Sequence, residues 1–206
     1  MSFDRKSHWE NVYDNKTPQE VSWYQLEPKI SLELIASIGM DHMSKLIDVG
    51  GGSSVLVDKL LAQGFKDLTV LDVSLKALDY AKERLGTRAG VVEWIEADVT
   101  DFEPPQKYDV WHDRAVFHFL TSDDDRKRYV QNMSKALNPG GYVIIAAFSI
   151  DGPLKCSGLD VERYSPDKLK NELGNHFEFF KSVEEVHKTP FSSEQKFTYC
   201  CFRKLA

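Results

Sequence analysis

One stretch constrains this chain more than any other: Leu46-Ile47-Asp48-Val49-Gly50-Gly51-Gly52-Ser53-Ser54-Val55-Leu56. Leu46, Ile47 and Val49 have the apolar character of an inner strand of a parallel sheet, buried on both faces. The three glycines accept backbone angles that other residues resist and let a ligand approach the main chain. Ser53 or Ser54 is placed to cap a helix running to about Ala62. Free N–H groups at such a helix start favour a polar or anionic ligand group. A strand, a glycine turn and a helix in this order form the unit at which open α/β folds bind nucleotide-like cofactors.

The rest of the chain continues the alternation. Pro28 to Ile38 places Ile30, Leu34, Ile35 and Ile38 on one helical face, closed by Gly39. Leu68 to Asp72 reads as a second strand, and Ser74 caps a helix from Leu75 to Leu85, stopped by Gly86. Val91 to Ile95 and Tyr108 to Trp111 read as strands, with His112, Asp113 and Arg114 just past the end of the latter. A helix is expected from Asp123 to Leu137, capped by Thr121 or Ser122. Asp123, Asp124 and Asp125 then suit its positive dipole end, which explains that acidic run without a metal. Asn138-Pro139-Gly140-Gly141 is a turn signal before a strand at Tyr142 to Phe148. A loop over 149–164 precedes a helix opened by Ser165-Pro166-Asp167. Phe177 to His187 and Lys196 to Arg203 are the closing strands. This order predicts a doubly wound α/β sheet, mostly parallel.

The N-terminal segment, 1–27, reads as irregular but carries Phe3, Trp9, Tyr13, Trp23 and Tyr24, with Ser7 and Glu10 spaced as a capping box. It is either an arm packed on the domain or a lid whose rings cover a ligand. The chain has 206 residues, which fits one domain, 28–206, plus this arm. Acidic residues number 32 against 26 basic, with no basic tract, which argues against a nucleic-acid partner. No apolar run approaches a membrane span, and the first residues lack a signal-peptide core. Three cysteines without framework spacing suit a reducing, cytoplasmic setting. Cys200 and Cys201 are adjacent, so in a strand they face opposite sides and make a poor metal pair.

Four acids stand at the ends of four successive strands: Asp48, Asp72, Asp98 and Asp113. A pyrophosphate would be repelled by such a row, whereas a ligand with a positive centre, ribose hydroxyls and an amino-substituted base would suit it. The glycine spacing agrees, because Val55 stands where a dinucleotide fingerprint needs its third glycine.

Five segments, Asp48-Val49-Gly50-Gly51-Gly52, Leu71-Asp72-Val73-Ser74, Glu96-Ala97-Asp98-Val99, Tyr108-Asp109-Val110 and Leu137-Asn138-Pro139-Gly140-Gly141, occur in an order that resembles the class I S-adenosylmethionine-dependent methyltransferases. The resemblance covers about Pro28 to Arg203 and implies a Rossmann-like, seven-stranded sheet with an antiparallel closing strand. It implies S-adenosyl-L-methionine as cofactor. Asp48 with Gly50, Gly51 and Gly52 would hold its methionine half, Asp72 and neighbouring Val73 its ribose, and Asp98 and Val99 its adenine. Ser54 stands where that family often has a third glycine. Asp113-Arg114 and the arm ending Val21-Ser22-Trp23-Tyr24 also resemble segments of thiopurine and thiol methyltransferases, which would set Arg114 and the arm beside the cofactor.

In-line methyl transfer depends heavily on orientation. Trp23, Tyr24 and Phe117 are candidates to favour a sulfonium through their ring faces. His118 is the candidate general base, since it follows the fourth strand and titrates in the useful range. His112 is expected to be structural, and Asp113 and Arg114 could pair with each other. Cys156 and Tyr164, in the long loop, are placed to touch an acceptor. The expected protein is a soluble, monomeric methyltransferase acting on a small-molecule acceptor, without a metal. A protein lysine methyltransferase and a cofactor-binding module without turnover are the alternatives. A nicotinamide-type dehydrogenase is disfavoured by Asp48 and the missing glycine.

Overall fold

The computed structural model describes residues 4–206. Phe3 lies outside the described residues. Seven strands form one sheet in the order β3-β2-β1-β4-β5-β9-β8. Its inner strands are β1 (Leu46–Val49), β2 (Leu68–Asp72), β4 (Tyr108–Arg114), β5 (Leu137–Phe148) and β9 (Glu194–Lys204); β3 (Val92–Glu96) and β8 (Phe177–Lys188) are the edges. β1 pairs in parallel with β2 and β4, while β9 runs antiparallel between β5 and β8. The expected antiparallel strand is therefore internal, and the chain order reverses between β1 and β4. A crevice opens at such a switch point beyond the strand ends.

Every residue of β1 and β2 is buried, as expected of strands covered on both faces. Alternation divides them. Leu46, Val110 and Ile144 join a core with α2 (Lys29–Ser37), α3 (Leu56–Ala62) and α4 (Leu75–Leu85). Ile47, Trp111 and Ile145 join the opposite core with α5 (Asp123–Ala136) and α6 (Pro166–Leu173). Cys200 and Cys201 obey the same rule, one in each core.

Several local expectations change. The arm is not irregular: α1 spans Arg5–Asn15, and Asp4, not Ser7, caps it by accepting from the Ser7 N–H at 3.0 Å. Neither Ser53 nor Ser54 caps α3. Val55 occupies the cap, and Ser54 Oγ accepts from the Leu56 N–H at 3.1 Å, so the serines extend the glycine turn. Ser122 stands at the cap of α5 without a side-chain bond. β4 runs three residues past Trp111, because His112, Asp113 and Arg114 pair with Ile144, Ile145 and Ala146 of β5 and each finds a buried polar partner. The Asn138–Gly141 turn becomes an irregular start of β5, with Gly140 at φ 79°. The 149–164 loop contains a small hairpin, β6 (Lys155–Cys156) and β7 (Leu159–Asp160). Ser74 and Ser165 cap their helices as expected.

Candidate functional site

Gly50 sits at φ 69° directly after β1, a backbone setting that favours glycine, and a Cβ there would collide with Val116. The turn therefore runs close against the segment that follows β4. A Cβ on Gly51 would strike the Asp48 carboxylate, and one on Gly52 would stand 2.5 Å from Asp72 Oδ2. The glycines thus bring main chain up to two buried acids.

Asp48 accepts from His112 Nδ1 at 2.7 Å, and the other ring nitrogen of His112 meets Ser31 Oγ at 2.9 Å. His112 is structural, as expected. Asp48 Oδ2 is buried and has no hydrogen-bond partner. Asp72 accepts from the Gly52 N–H at 3.1 Å and the Ser74 N–H at 2.9 Å. Burial pushes its carboxyl up to about 6, against the pull of those backbone donors. Asp98 accepts from Thr100, through both N–H and hydroxyl, and from Arg5 at 3.0 Å. Burial opposes its charge, but these bonds outweigh burial and hold the carboxyl below its ordinary value.

A cleft lies between these groups. Gly50, Asp72, Val73, Asp98, Val99 and Arg114 wall it from the sheet side, together with Ala115, Val116 and Phe119. The arm supplies Arg5, Trp9, Tyr13 and Trp23, and the β6–β7 hairpin supplies Cys156. A second cavity shares Tyr13, Trp23, Gly50 and Arg114 with it. Asp48, Gly51, Tyr24 and His112 line this second space. Of the expected binding residues, then, all but Gly52 and Asp113 reach one cavity or the other, with Gly52 holding Asp72 through its N–H.

Asp113 is fully buried among core groups, accepting from Tyr129 Oη at 2.6 Å and from the Val116 and Phe117 N–H groups. It shapes the turn after β4 and does not face the cavity. Nor does it pair with Arg114, because successive strand residues point to opposite faces. Arg114 instead donates to Tyr199 Oη at 2.8 Å and to the Trp23 carbonyl at 3.0 Å, with Glu185 3.6 Å away.

Three other expectations fail on orientation. His118 is fully buried between Phe119 and Phe148, and its Nδ1 accepts from the Phe148 N–H at 3.3 Å. Burial, with the Arg114 charge, pulls it down to about 3, so it is neutral and walled off from the cleft. A general-base role does not fit this placement. Phe117 packs on Tyr129 and Tyr164 inside the core, and Tyr164 is itself fully buried. Phe119, two residues on, is the ring that faces the cleft.

Arg5 was missed, although the signal was present. Arg5, Trp9 and Tyr13 recur every four residues, which sets them on one helical face once the helix starts at Arg5. Trp9 meets Trp23 and Phe119 edge-on, with ring centres 5.7 and 5.0 Å apart. The arm is tied down at both ends. Arg5 bonds Asp98 and Asp125, and Lys6 bonds Glu96 at 2.5 Å. Gln25 bonds Glu185 at 2.8 Å, and His187 bonds the Ser22 carbonyl at 2.8 Å.

The methyltransferase-domain family matches residues 47–143, the span from β1 into β5. Among curated relatives, the eEF1A lysine and N-terminal methyltransferase of Bos taurus is 24% identical over 196 residues, 94% of this chain and 26% of its own length. Malonyl-[acyl-carrier protein] O-methyltransferase 1 of Ilyobacter polytropus is 27% identical over 111 residues, 53% of this chain and 40% of its own. The chain thus spans between a quarter and two fifths of these relatives' lengths. Among solved structures, N-methyltransferase NodS from Bradyrhizobium japonicum WM9, in complex with S-adenosyl-L-homocysteine, superposes with a TM-score of 0.71 at 16% identity, over 98% of this chain and 99% of that one. The methyltransferase-domain match over residues 47–143, together with the sheet order, glycine turn and strand-end acids, supports a class I S-adenosylmethionine-dependent methyltransferase domain in this chain.

Proposed function

We propose that this protein transfers a methyl group from S-adenosyl-L-methionine to a small-molecule acceptor. One observation carries the reading: a single cleft is walled at once by the turn after β1, by Asp72-Val73 after β2 and by Asp98-Val99 after β3. Asp48 Oδ2, buried and without a partner, fits the cofactor's ammonium group, since an unpaired buried carboxylate is costly and a cation relieves it. Asp72 would take the ribose hydroxyls, with Val73 under the ring, and Asp98 and Val99 would take the adenine edge. Trp23 and Trp9 would present ring faces toward the positive sulfur, each worth about 0.5–2 kcal/mol. The bound cofactor supplies an electrophilic methyl group. The chain's own residues orient it and, through the roof made by α1 and Trp23, keep water away from it.

That roof favours a small acceptor, because an extended protein segment would need an open groove beside Phe119 and Cys156. The likeness to several protein methyltransferases, the bovine eEF1A lysine and N-terminal methyltransferase among them, favours a protein acceptor. A labelled-methyl transfer assay across small thiols, amines, acids and lysine-bearing protein separates them. Transfer to small acceptors supports the proposal, and transfer confined to protein overturns its acceptor half.

A further inference from the structure

The proposed reaction leaves open how the acceptor loses its proton, and the cleft bears on this. Among the described residues lining it, the ionisable side chains are Arg5, Tyr13, Asp72, Asp98, Arg114 and Cys156. None is a free base. Asp72 is held by two backbone N–H groups, and Asp98 by Thr100 and Arg5. Tyr13 and Cys156 are pushed upward by burial, Cys156 to about 11, so both keep their protons at neutral pH. His118, the nearest imidazole in sequence, is sealed in the core. Trp9, Trp23, Phe119 and Ala115 give the cleft an apolar, aromatic wall, with Trp9 edge-on to both Trp23 and Phe119. Of the two guanidinium groups among the described residues lining the cleft, Arg5 is held by Asp98 and Asp125, which leaves Arg114. Arg114 lines this cleft and the neighbouring cavity, and its Nη2 is buried without a hydrogen-bond partner. Glu185 is ion-paired with Arg114 at 3.6 Å, also accepts from Tyr199 at 2.9 Å and Gln25 at 2.8 Å, and does not line the cleft.

From this wall, and resting on the function proposed above, we infer that the acceptor enters already ionised: an acidic thiol or oxygen acid that binds as its anion, with Arg114 as the cation facing it and no protein group removing a proton. The charges balance. A lone pair on the acceptor anion forms the new bond to the methyl carbon as the carbon–sulfonium bond breaks, and that bonding pair stays on the cofactor's sulfur. An anion and a cation become two neutral products, and no proton moves. Charge is lost along this path, so a dry aromatic wall suits it. An amine acceptor would instead remain cationic after transfer, beside Arg114 and with no base.

The test uses the whole protein with ring-substituted thiophenols of graded acidity, benzoate, 4-nitrophenol and N-acetyl-lysine methyl ester as probes. Calorimetry first establishes S-adenosylmethionine binding, and failure there sinks the function rather than this inference. With the cofactor bound, kcat/KM for each active thiol should rise with pH and level off at that thiol's own pKa, the midpoint moving with the probe. In the S-adenosylhomocysteine complex, binding of each active probe should tighten at least 10-fold between its neutral and ionised forms. Relative activity of thiophenols, benzoate and 4-nitrophenol then tells sulfur from oxygen acceptors. A midpoint that stays fixed while probe acidity changes would overturn the inference. So would equal binding of neutral and ionised forms, preferred transfer to the lysine ester, or no transfer to any anionic probe.

Discussion

At the residue scale the acids explain most, and each does something different. Asp48 keeps one oxygen for His112 and one unpartnered, Asp72 and Asp98 hold main chain and arm at the cleft, and Asp113 is spent on the turn after β4. The strand-end positions were legible because hydrophobic runs mark strand ends. Which oxygen faces the cavity was not, because a one-residue step along β4 reverses the side, and that strand runs three residues farther than its apolar run. His118 and Phe117 lie beyond β4 on a short 3-10 turn, whose facing the strand pattern does not fix. Burial raises Asp72 to about 6, which gives a pH prediction for the cofactor-free protein. The folded chain then holds this proton more tightly than the unfolded chain, whose carboxyl has its ordinary value near ~4. Asp72 thus contributes stability that is fully present below about pH 4 and lost as pH rises through 6. Asp72→Asn removes this contribution. Relative to the native protein, the variant should gain on the order of 1–3 kcal/mol between pH 4 and 7 in urea unfolding. A pH-independent difference would contradict the assignment. Cofactor affinity should fall in the native protein below about pH 6, as Asp72 takes up its proton, and lose that dependence in the variant.

At the element scale, the unit of β1, glycine turn and α3 was legible because three glycines after an apolar run have few other uses. Its finer build was not, since Ser53 and Ser54 lengthen the turn instead of capping α3. Gly50 passes so close to Val116 that a Cβ has no room there. Gly50→Ala introduces both that collision and a strained φ of 69°. It should cost about 1–3 kcal/mol of stability and abolish tight cofactor binding. Adding Val116→Ala removes the collision but not the strained angle, so thermal unfolding should show partial recovery in the double variant. Full recovery would mean that backbone conformation at Gly50 contributes nothing, and no recovery that Val116 is not the obstacle.

At the scale of the whole molecule, the arm is a strap across the strand ends, fixed near β3 and α5 by Arg5 and near β8 and β9 by Ser22 and Gln25. Its aromatic content hinted at a covering role. Its anchors were not legible, because they pair residues more than ninety positions apart. Arg5→Ala should lower stability by only about 1 kcal/mol, since the ion pairs are partly exposed. It should nevertheless speed cofactor release several-fold, read from the fluorescence of Trp9 and Trp23 in stopped flow. Unchanged release would mean that the strap does not gate the cleft. The fold, the glycine turn and the strap converge on one central claim, that this cleft is built for a cationic amino-acid nucleoside. Calorimetric titration of the unmodified protein with S-adenosylmethionine, S-adenosylhomocysteine and NAD tests it most directly. The first two should bind at one site per chain while NAD gives no heat of binding. Tight binding of NAD with neither of the others would contradict it.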